Sequence, residues 1–316
     1  MHVILLFPGQ GSQKPGMGKE LADAFPAARD AFSAVDDALG TSLSTLCFEG
    51  PADELTKTHN AQPALFAHGA AAWAVARELI GDQVVAAAGH SLGEHTAYHS
   101  AGAVSVDRGA RLVRRRGEIM YEVGMQRPGT MAAILGTLST PIDELCARAT
   151  QESGLVVAAN YNTEEQTVIS GEVAGVDRAI ELAKEAGAKR GVKLAVSGAF
   201  HSPLMEPAHD ALAAAIQDAN FDAPRFPIYS NVTAGAVTDV THATNLLLKQ
   251  LTSPVRWLES VRAMGAAYPD ALYVELGPGN VLSGLVSRIL PGAQTQTCGT
   301  PADIDALAQR LAVQGA

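Results

Sequence analysis

The apolar run Val84-Val85-Ala86-Ala87-Ala88 leads directly into Gly89-His90-Ser91-Leu92-Gly93, and a helical pattern starts just after Ser91 and ends near Gly102. Strand, tight turn and helix in about twenty residues is the local grammar of a parallel α/β sheet, and no other feature constrains the fold as strongly. The turn satisfies G-x-S-x-G in the context that pattern requires. Two glycines let the chain reverse sharply, so the Ser91 hydroxyl projects from the strand end. The Leu92 N–H and the helix N-terminus point to the same place, which favours a developing oxyanion. A purely structural Gly-Ser turn is the competing reading, and the flanking strand and helix argue against it.

The rest of the chain fits around this unit. Val3 to Phe7 reads as a buried strand running into the loop Pro8 to Gln13; helical patterning follows over 17–39 and again from Pro63 to Ile80. Further strands fit Pro227 to Ser230 and Leu272 to Leu276. Between about 125 and 195 the grammar changes to strand (Thr130 to Leu135), helix (Pro141 to Glu152), strand (Val156 to Tyr161), strand (Gln166 to Ser170), helix (Val173 to Ala186) and strand (Gly191 to Val196). That βαββαβ order is the ferredoxin-like split motif. The expected organisation is a larger α/β domain made of 1–124 and 197–316, carrying a small subdomain at 125–196. The insertion would be entered through Gly124 to Gly129 and left around Ser197-Gly198.

Composition excludes several function classes. With 47% hydrophobic and 18% charged residues over 316 positions, the chain has material for a large core. A formal net charge of -10 argues against binding the phosphate backbone of nucleic acid. Cys47, Cys146 and Cys298 are widely spaced and form no C-x-x-C, so neither a disulfide framework nor a cysteine zinc site is expected, and a reducing cytoplasm fits best. The N-terminal apolar stretch lacks a basic flank and stops at Pro8-Gly9, and no apolar run suffices to span a bilayer, so neither export nor membrane insertion is expected.

A serine hydroxyl needs a base, and the histidines supply the candidates. His201 stands in a loop after a predicted strand and just before Ser202-Pro203, which reads as an N-cap followed by proline at the first helical position. Such strand-end loops are where site residues of open α/β sheets collect, which leaves a functional His201 about even with a structural one. Glu206 and Asp210 follow it, without making a compelling third member. His95 and His99 are four apart on one helix face, but H-E-x-x-H is not met because Thr96 replaces the glutamate, so a packed pair is expected and no metal. On the helical wheel Arg116 falls on the apolar stripe of Leu112, Val113, Ile119, Met120 and Val123, whereas Arg114 and Arg115 do not. A buried guanidinium calls for a carboxylate, from a structural Glu or from an acidic substrate. Gly277-Pro278-Gly279-Asn280 meets no phosphate-loop pattern and reads as a turn.

Taken together, Phe7-Pro8-Gly9-Gln10-Gly11-Ser12-Gln13, Gly89 to Glu94, Arg116-Gly117, Gly198-Ala199-Phe200-His201-Ser202 and Glu275 to Gly279 resemble the malonyl-CoA:acyl carrier protein transacylase family, in the family's order. The resemblance implies an α/β-hydrolase-like core with a ferredoxin-like insertion and a Ser91–His201 dyad that carries the acyl group by a ping-pong route. It implies an oxyanion hole from the backbone N–H groups of Gln10 and Leu92. Arg116 would hold the malonyl carboxylate, the Gln250 carbonyl would orient His201, and Phe200 would select against an α-methyl branch. Substrate and partner would be malonyl-CoA and an acyl carrier protein of fatty-acid or polyketide biosynthesis; no cofactor is needed, and the family suggests a monomer. His95, Tyr98, His99, Ser100 and Arg256 depart from residues common in relatives, which bears on acyl preference more than on the reaction.

Three other readings stay open: a serine esterase or thioesterase, for which Arg116 has no use, a trans-acting polyketide acyltransferase with a different acyl preference, and a non-catalytic carrier-binding protein. Acyl carrier proteins are themselves usually acidic, so a local basic patch is expected to dock one. Lys184, Lys189, Arg190 and Lys193 are the candidates, with a solvated helix end as the alternative.

Overall fold

The computed structural model describes residues 1–314. Its ten strands are β1 (Val3–Phe7), β2 (Val84–Gly89), β3 (Thr130–Leu135), β4 (Val156–Thr163), β5 (Gln166–Gly171), β6 (Arg190–Lys193), β7 (Ile228–Tyr229), β8 (Ala236–Val237), β9 (Leu272–Glu275) and β10 (Gln294–Thr297). They form two separate sheets. The larger has the order β10-β9-β1-β2-β7-β8, parallel throughout except for the final β7–β8 pair. The smaller, β4-β5-β3-β6, is antiparallel.

β1 lies in the middle of the larger sheet because helices cover both of its faces and every one of its residues is apolar. Val3, Leu5 and Phe7 join the core on one face, and Ile4 and Leu6 the core on the other. The smaller sheet packs one face on the helices Ile142–Ser153 and Val173–Glu185 through its own core, which includes Ile134, Leu145, Val156 and Ile180. It is tied to the rest of the molecule where β4 shifts register between Ala158 and Asn160. There Tyr161 N–H donates to Val255 O at 2.9 Å, and Val255 N–H to Ala159 O at 2.8 Å.

The expected βαββαβ order of elements is observed over 130–193. Several boundaries differ, each for a local reason. The 17–39 pattern is two helices, Lys19–Ala24 and Pro26–Leu39, because Phe25 before Pro26 is held extended. The helix expected from Pro63 begins at Thr58. Proline removes the N–H that would serve the His59 carbonyl, and Arg114 Nη1 donates to that carbonyl instead, at 2.7 Å. The strand expected over 191–196 is β6, Arg190–Lys193; beyond it Val196 N–H turns back to Leu194 O and the chain leaves the sheet. Gly277 to Asn280 is a bend, as expected, leading into the helix Val281–Ile289. The Glu275 carboxylate accepts the Leu282 and Ser283 N–H groups of that helix's first turn, at 2.9 and 2.7 Å. No helix among the described residues is long and apolar enough to cross a membrane.

Candidate active site

The turn after β2 is as tight as the sequence implies. A Cβ on Gly89 would lie 1.9 Å from the Gly93 carbonyl carbon, and one on Gly93 would lie 2.0 Å from Phe7 O, so only glycine fits at either position. Ser91 itself sits at φ 51, ψ -106, ahead of the helix Leu92–Ser100. Asn231, in the turn just past β7, clamps the elbow: its Oδ1 accepts Ser91 N–H at 2.7 Å and its Nδ2 donates to Gly89 O at 2.7 Å.

Ser91 Oγ lies 2.7 Å from His201 Nε2. On the far side of the ring, His201 Nδ1 faces two carbonyl oxygens, Gln250 O at 2.9 Å and Ser253 O at 3.2 Å. Carbonyls only accept, so Nδ1 carries the hydrogen and Nε2 is free to accept from the serine hydroxyl. Gln250 ends the helix Val240–Gln250, where main-chain carbonyls lack intrahelical partners, and this makes its oxygen available. His201 also has positive φ, 57. Burial, and then the Arg116 cation, push its pKa down to about 3. Ser202 caps the turn that follows, as expected, accepting Leu204 N–H at 3.3 Å. Glu206 and Asp210 are exposed and do not bond His201.

Arg116 is buried, 1% exposed, on the inner face of the helix Val106–Gln126. Its partners overturn one of the two expectations for it, since no carboxylate among the described residues forms an ion pair with it. Nη1 donates to Gln62 Oε1 and Nη2 to Gln250 Oε1, both at 2.8 Å, and Nη2 also lies 3.2 Å from Ser91 Oγ. Two neutral amide oxygens hold the fork without neutralising it, and burial lowers its pKa to about 10, so it remains charged at neutral pH. Such a site has a cation to offer an incoming carboxylate.

These groups line a cavity of about 440 Å³ between the two sheets. Met131 of β3, Asn160 of β4 and the segment Leu194 to Val196 wall it from one side, and Gln10, Leu92 and Phe200 from the other. Among the described residues neither the Gln10 nor the Leu92 main-chain N–H has an acceptor within the chain.

The acyl transferase domain family matches residues 4–298. A malonyl CoA-acyl carrier protein transacylase of Bacillus subtilis (strain 168) is 43% identical over 309 residues, 98% of this chain and 97% of the relative. The chain belongs to the malonyl-CoA:acyl carrier protein transacylase family. Among solved transacylase structures, an acyl-carrier-protein-S-malonyltransferase from Bartonella henselae aligns with a TM-score of 0.93 at 42% identity, covering 99% of this chain and 100% of that one. A malonyl-transacylase in complex with its type II PKS acyl-carrier protein aligns with a TM-score of 0.93 at 37% identity, over 98% and 100% of the two chains.

Within this transacylase scaffold the remaining sequence candidates lie elsewhere. His95 is buried, and His99 Nδ1 faces Val104 O at 3.0 Å; no group of three or more His, Cys, Asp or Glu among the described residues is placed to hold a metal. Lys184, Lys189, Arg190 and Lys193 are exposed on the smaller-sheet side, and Lys193 is paired with Asp177 at 2.7 Å. Sequence reasoning missed Gln62, Asn231, the side chain of Gln250 and the Asn162 Oδ1 that accepts from His90 Nε2 at 2.8 Å. Of these only Asn231 carried a usable signal, since it directly follows a strand read from the sequence.

Proposed function

We propose that this transacylase moves a malonyl group from malonyl-CoA to the phosphopantetheine thiol of an acyl carrier protein through an ester on Ser91. The observation that carries the reading is the position of Ser91 Oγ between a neutral histidine nitrogen at 2.7 Å and a buried, un-neutralised guanidinium nitrogen at 3.2 Å. An acyl group with a terminal carboxylate, attached at Ser91, meets both.

In the first half-reaction Ser91 Oγ attacks the thioester carbonyl carbon while His201 Nε2 takes the hydroxyl proton. The carbonyl electron pair moves onto oxygen, where the free Gln10 and Leu92 N–H groups stabilise it. Collapse breaks the C–S bond, and His201 returns the proton to the departing CoA thiolate. The carrier thiol then reverses these steps, so the kinetics are ping-pong. The Gln250 carbonyl holds the ring in the required tautomer. Arg116, with its fork fixed by Gln62 and Gln250, holds the malonyl carboxylate and separates this activity from that of a plain serine esterase. Apolar residues of the cavity, Met120, Met131 and Leu194 among them, restrict water at the ester, and Phe200 disfavours an α-methyl branch. Nucleophile, base and cation are all side chains, so the reaction as drawn uses neither metal nor cofactor.

The larger sheet and its helices act as an α/β-hydrolase-like catalytic domain from 1–124 and 197–316, and 125–196 as an inserted ferredoxin-like subdomain; the strand order β4-β5-β3-β6 supports the latter. Lys184, Lys189 and Arg190, with a lesser part for Lys193, dock the acidic carrier. One chain supplies every group of the site, which supports action as a monomer, and three free, buried cysteines support a cytoplasmic setting. The carrier belongs to fatty-acid or polyketide biosynthesis, where the same thiol is presented. Intact-protein mass spectrometry after mixing with malonyl-CoA tests the reading: one malonyl adduct is expected on the wild type and none on Ser91→Ala. An unmodified wild type, or an adduct that survives Ser91→Ala, ends the acyl-enzyme proposal.

A further inference from the structure

Glu94 is fully buried on the helix Leu92–Ser100, and no step of the reaction above uses it. Its Oε2 accepts two hydrogen bonds, from Gln250 Nε2 at 2.7 Å and from the Asn231 main-chain N–H at 3.2 Å. Both donors belong to residues that touch the reacting groups. Asn231 Oδ1 fixes the Ser91 N–H, and Gln250 Oε1 fixes Arg116 Nη2.

A carboxamide has a donor end and an acceptor end of nearly the same shape, so packing alone does not decide which end of Gln250 faces Arg116. The partners decide it. Glu94 Oε2 accepts whether or not the unpartnered Oε1 carries a proton, so it draws the Nε2 end toward itself, where Ser91 O also accepts from it at 3.0 Å. The Oε1 end is left for the guanidinium, 2.8 Å away. With Gln250 turned over, its N–H groups would face the N–H groups of Arg116, and the fork would have to swing away from the place where it meets the acyl carboxylate.

The geometry points to Glu94 as a positioning residue for acyl selection: its buried carboxylate sets the orientation of the Gln250 carboxamide and thereby the aim of the Arg116 guanidinium. This role rests on the malonyl-transfer reading of the site. Loading of the wild type from malonyl-CoA and from acetyl-CoA is therefore measured first, and its failure would count against that reading and not against Glu94.

The test compares kcat and KM with malonyl-CoA and with acetyl-CoA for Glu94→Met and Glu94→Gln. Glu94→Met removes the acceptor at similar volume, and the malonyl-to-acetyl ratio of kcat/KM is expected to fall about tenfold or more, chiefly through the malonyl KM. Glu94→Gln keeps an oxygen able to accept both bonds and is expected to hold the ratio within about threefold. A loss of global stability alone would lower both donors alike. A smaller fall in Glu94→Met, or an equal fall in Glu94→Gln, overturns the role.

If Glu94→Met does not fold, Glu94→Ala is read on the same scale. A double-mutant cycle adds an independent measurement. On a Gln250→Met background, where the Gln250 carbonyl still holds His201, removing the Glu94 carboxylate is expected to change the ratio by less than about twofold. A full, independent loss on that background overturns the role as well.

Discussion

Arg116 Nη2 lies 3.2 Å from Ser91 Oγ, so the hydroxyl that is hydrogen-bonded to His201 Nε2 also stands beside a buried cation. In the proposed reaction this pairing makes acyl recognition and acyl attachment parts of one site. Replacing Arg116 by alanine removes the counter-charge for a malonyl carboxylate, while for an acetyl group it removes only the neighbouring cation beside Ser91 and His201. The expected result is a loss of about 2–4 kcal/mol in transition-state stabilisation for malonyl-CoA, roughly 30- to 1000-fold in kcat/KM, and less than about tenfold for acetyl-CoA. Equal losses for the two donors would refute the carboxylate role.

The acid limb of kcat/KM should lie well below 6.5, the ordinary histidine value, because His201 is pushed down to about 3 and stays an unprotonated base as the pH falls. A limb at or above 6.5 contradicts this. Stability should show the opposite weakness. His201, His68 (about 4), His90, His95 and His99 are all depressed by burial, so the stability tied to their neutral forms is present above the unfolded value and is lost as pH falls from about 6.5. Glu94, raised to about 7 by burial, acts the other way: its contribution is full below 4.5 and is lost as pH rises through 7. Glu275, also raised by burial, acts in the same sense as Glu94; with five histidines depressed against two carboxyls raised, the melting temperature is expected to decline on acidification from about pH 6.5 toward pH 4.

Gly93→Ala would set a methyl group 2.0 Å from Phe7 O, inside both the elbow and the central strand. A loss of about 3 kcal/mol or more in denaturant unfolding is expected. Gly284→Ala is the control: apart from its chain neighbours and its own helix backbone no atom lies within 4 Å of its Cβ position, and it sits within the helix Val281–Ile289, so it should be neutral or gain up to about 1 kcal/mol.

Phe200 is 4% exposed and lines the cavity next to His201. Phe200→Ala opens room beside the acyl chain, and the methylmalonyl-to-malonyl ratio of kcat/KM should rise by about tenfold, the order that one methyl group commands in an apolar pocket. An unchanged ratio places the α-carbon elsewhere.

Reversing the charges of Lys184, Lys189 and Arg190 together should raise the carrier KM by about threefold to tenfold at low salt, with the effect shrinking as salt is added. Lys193, already engaged by Asp177, should matter least of the four. An unchanged carrier KM at low salt removes the patch.

Ser91 and Arg116 were legible because each announces itself within its own segment, one by a glycine-framed turn between strand and helix, the other by a charge on an apolar helical stripe. His201 was only half legible from position, since the groups that orient it arrive from Gln250 and Ser253, about fifty residues away in sequence. Gln62, Asn231 and the Gln250 side chain act across separations of 54, 140 and 134 residues. An amide has no periodicity and no charge to stand out against its neighbours. The same division holds for the fold. Alternating strands and helices over 130–193 revealed themselves by pattern, whereas the short helices Leu43–Glu49 and Ala52–Thr56 are too brief to show a period.

Ser91 and His201 both sit at positive φ, 51 and 57, a region in which a side chain costs about 1–3 kcal/mol. Glycine at Ser91 would relax the backbone, so a library of variants ranked by melting temperature alone should favour Ser91→Gly, whereas at His201 the loss of a buried ring bonded to Gln250 O and Ser253 O outweighs the same relief. If Ser91 carries the acyl group as proposed, screening for thermal robustness without an activity readout would steer this scaffold toward inert variants, and thermostabilising work on it has to hold Ser91 constant from the start.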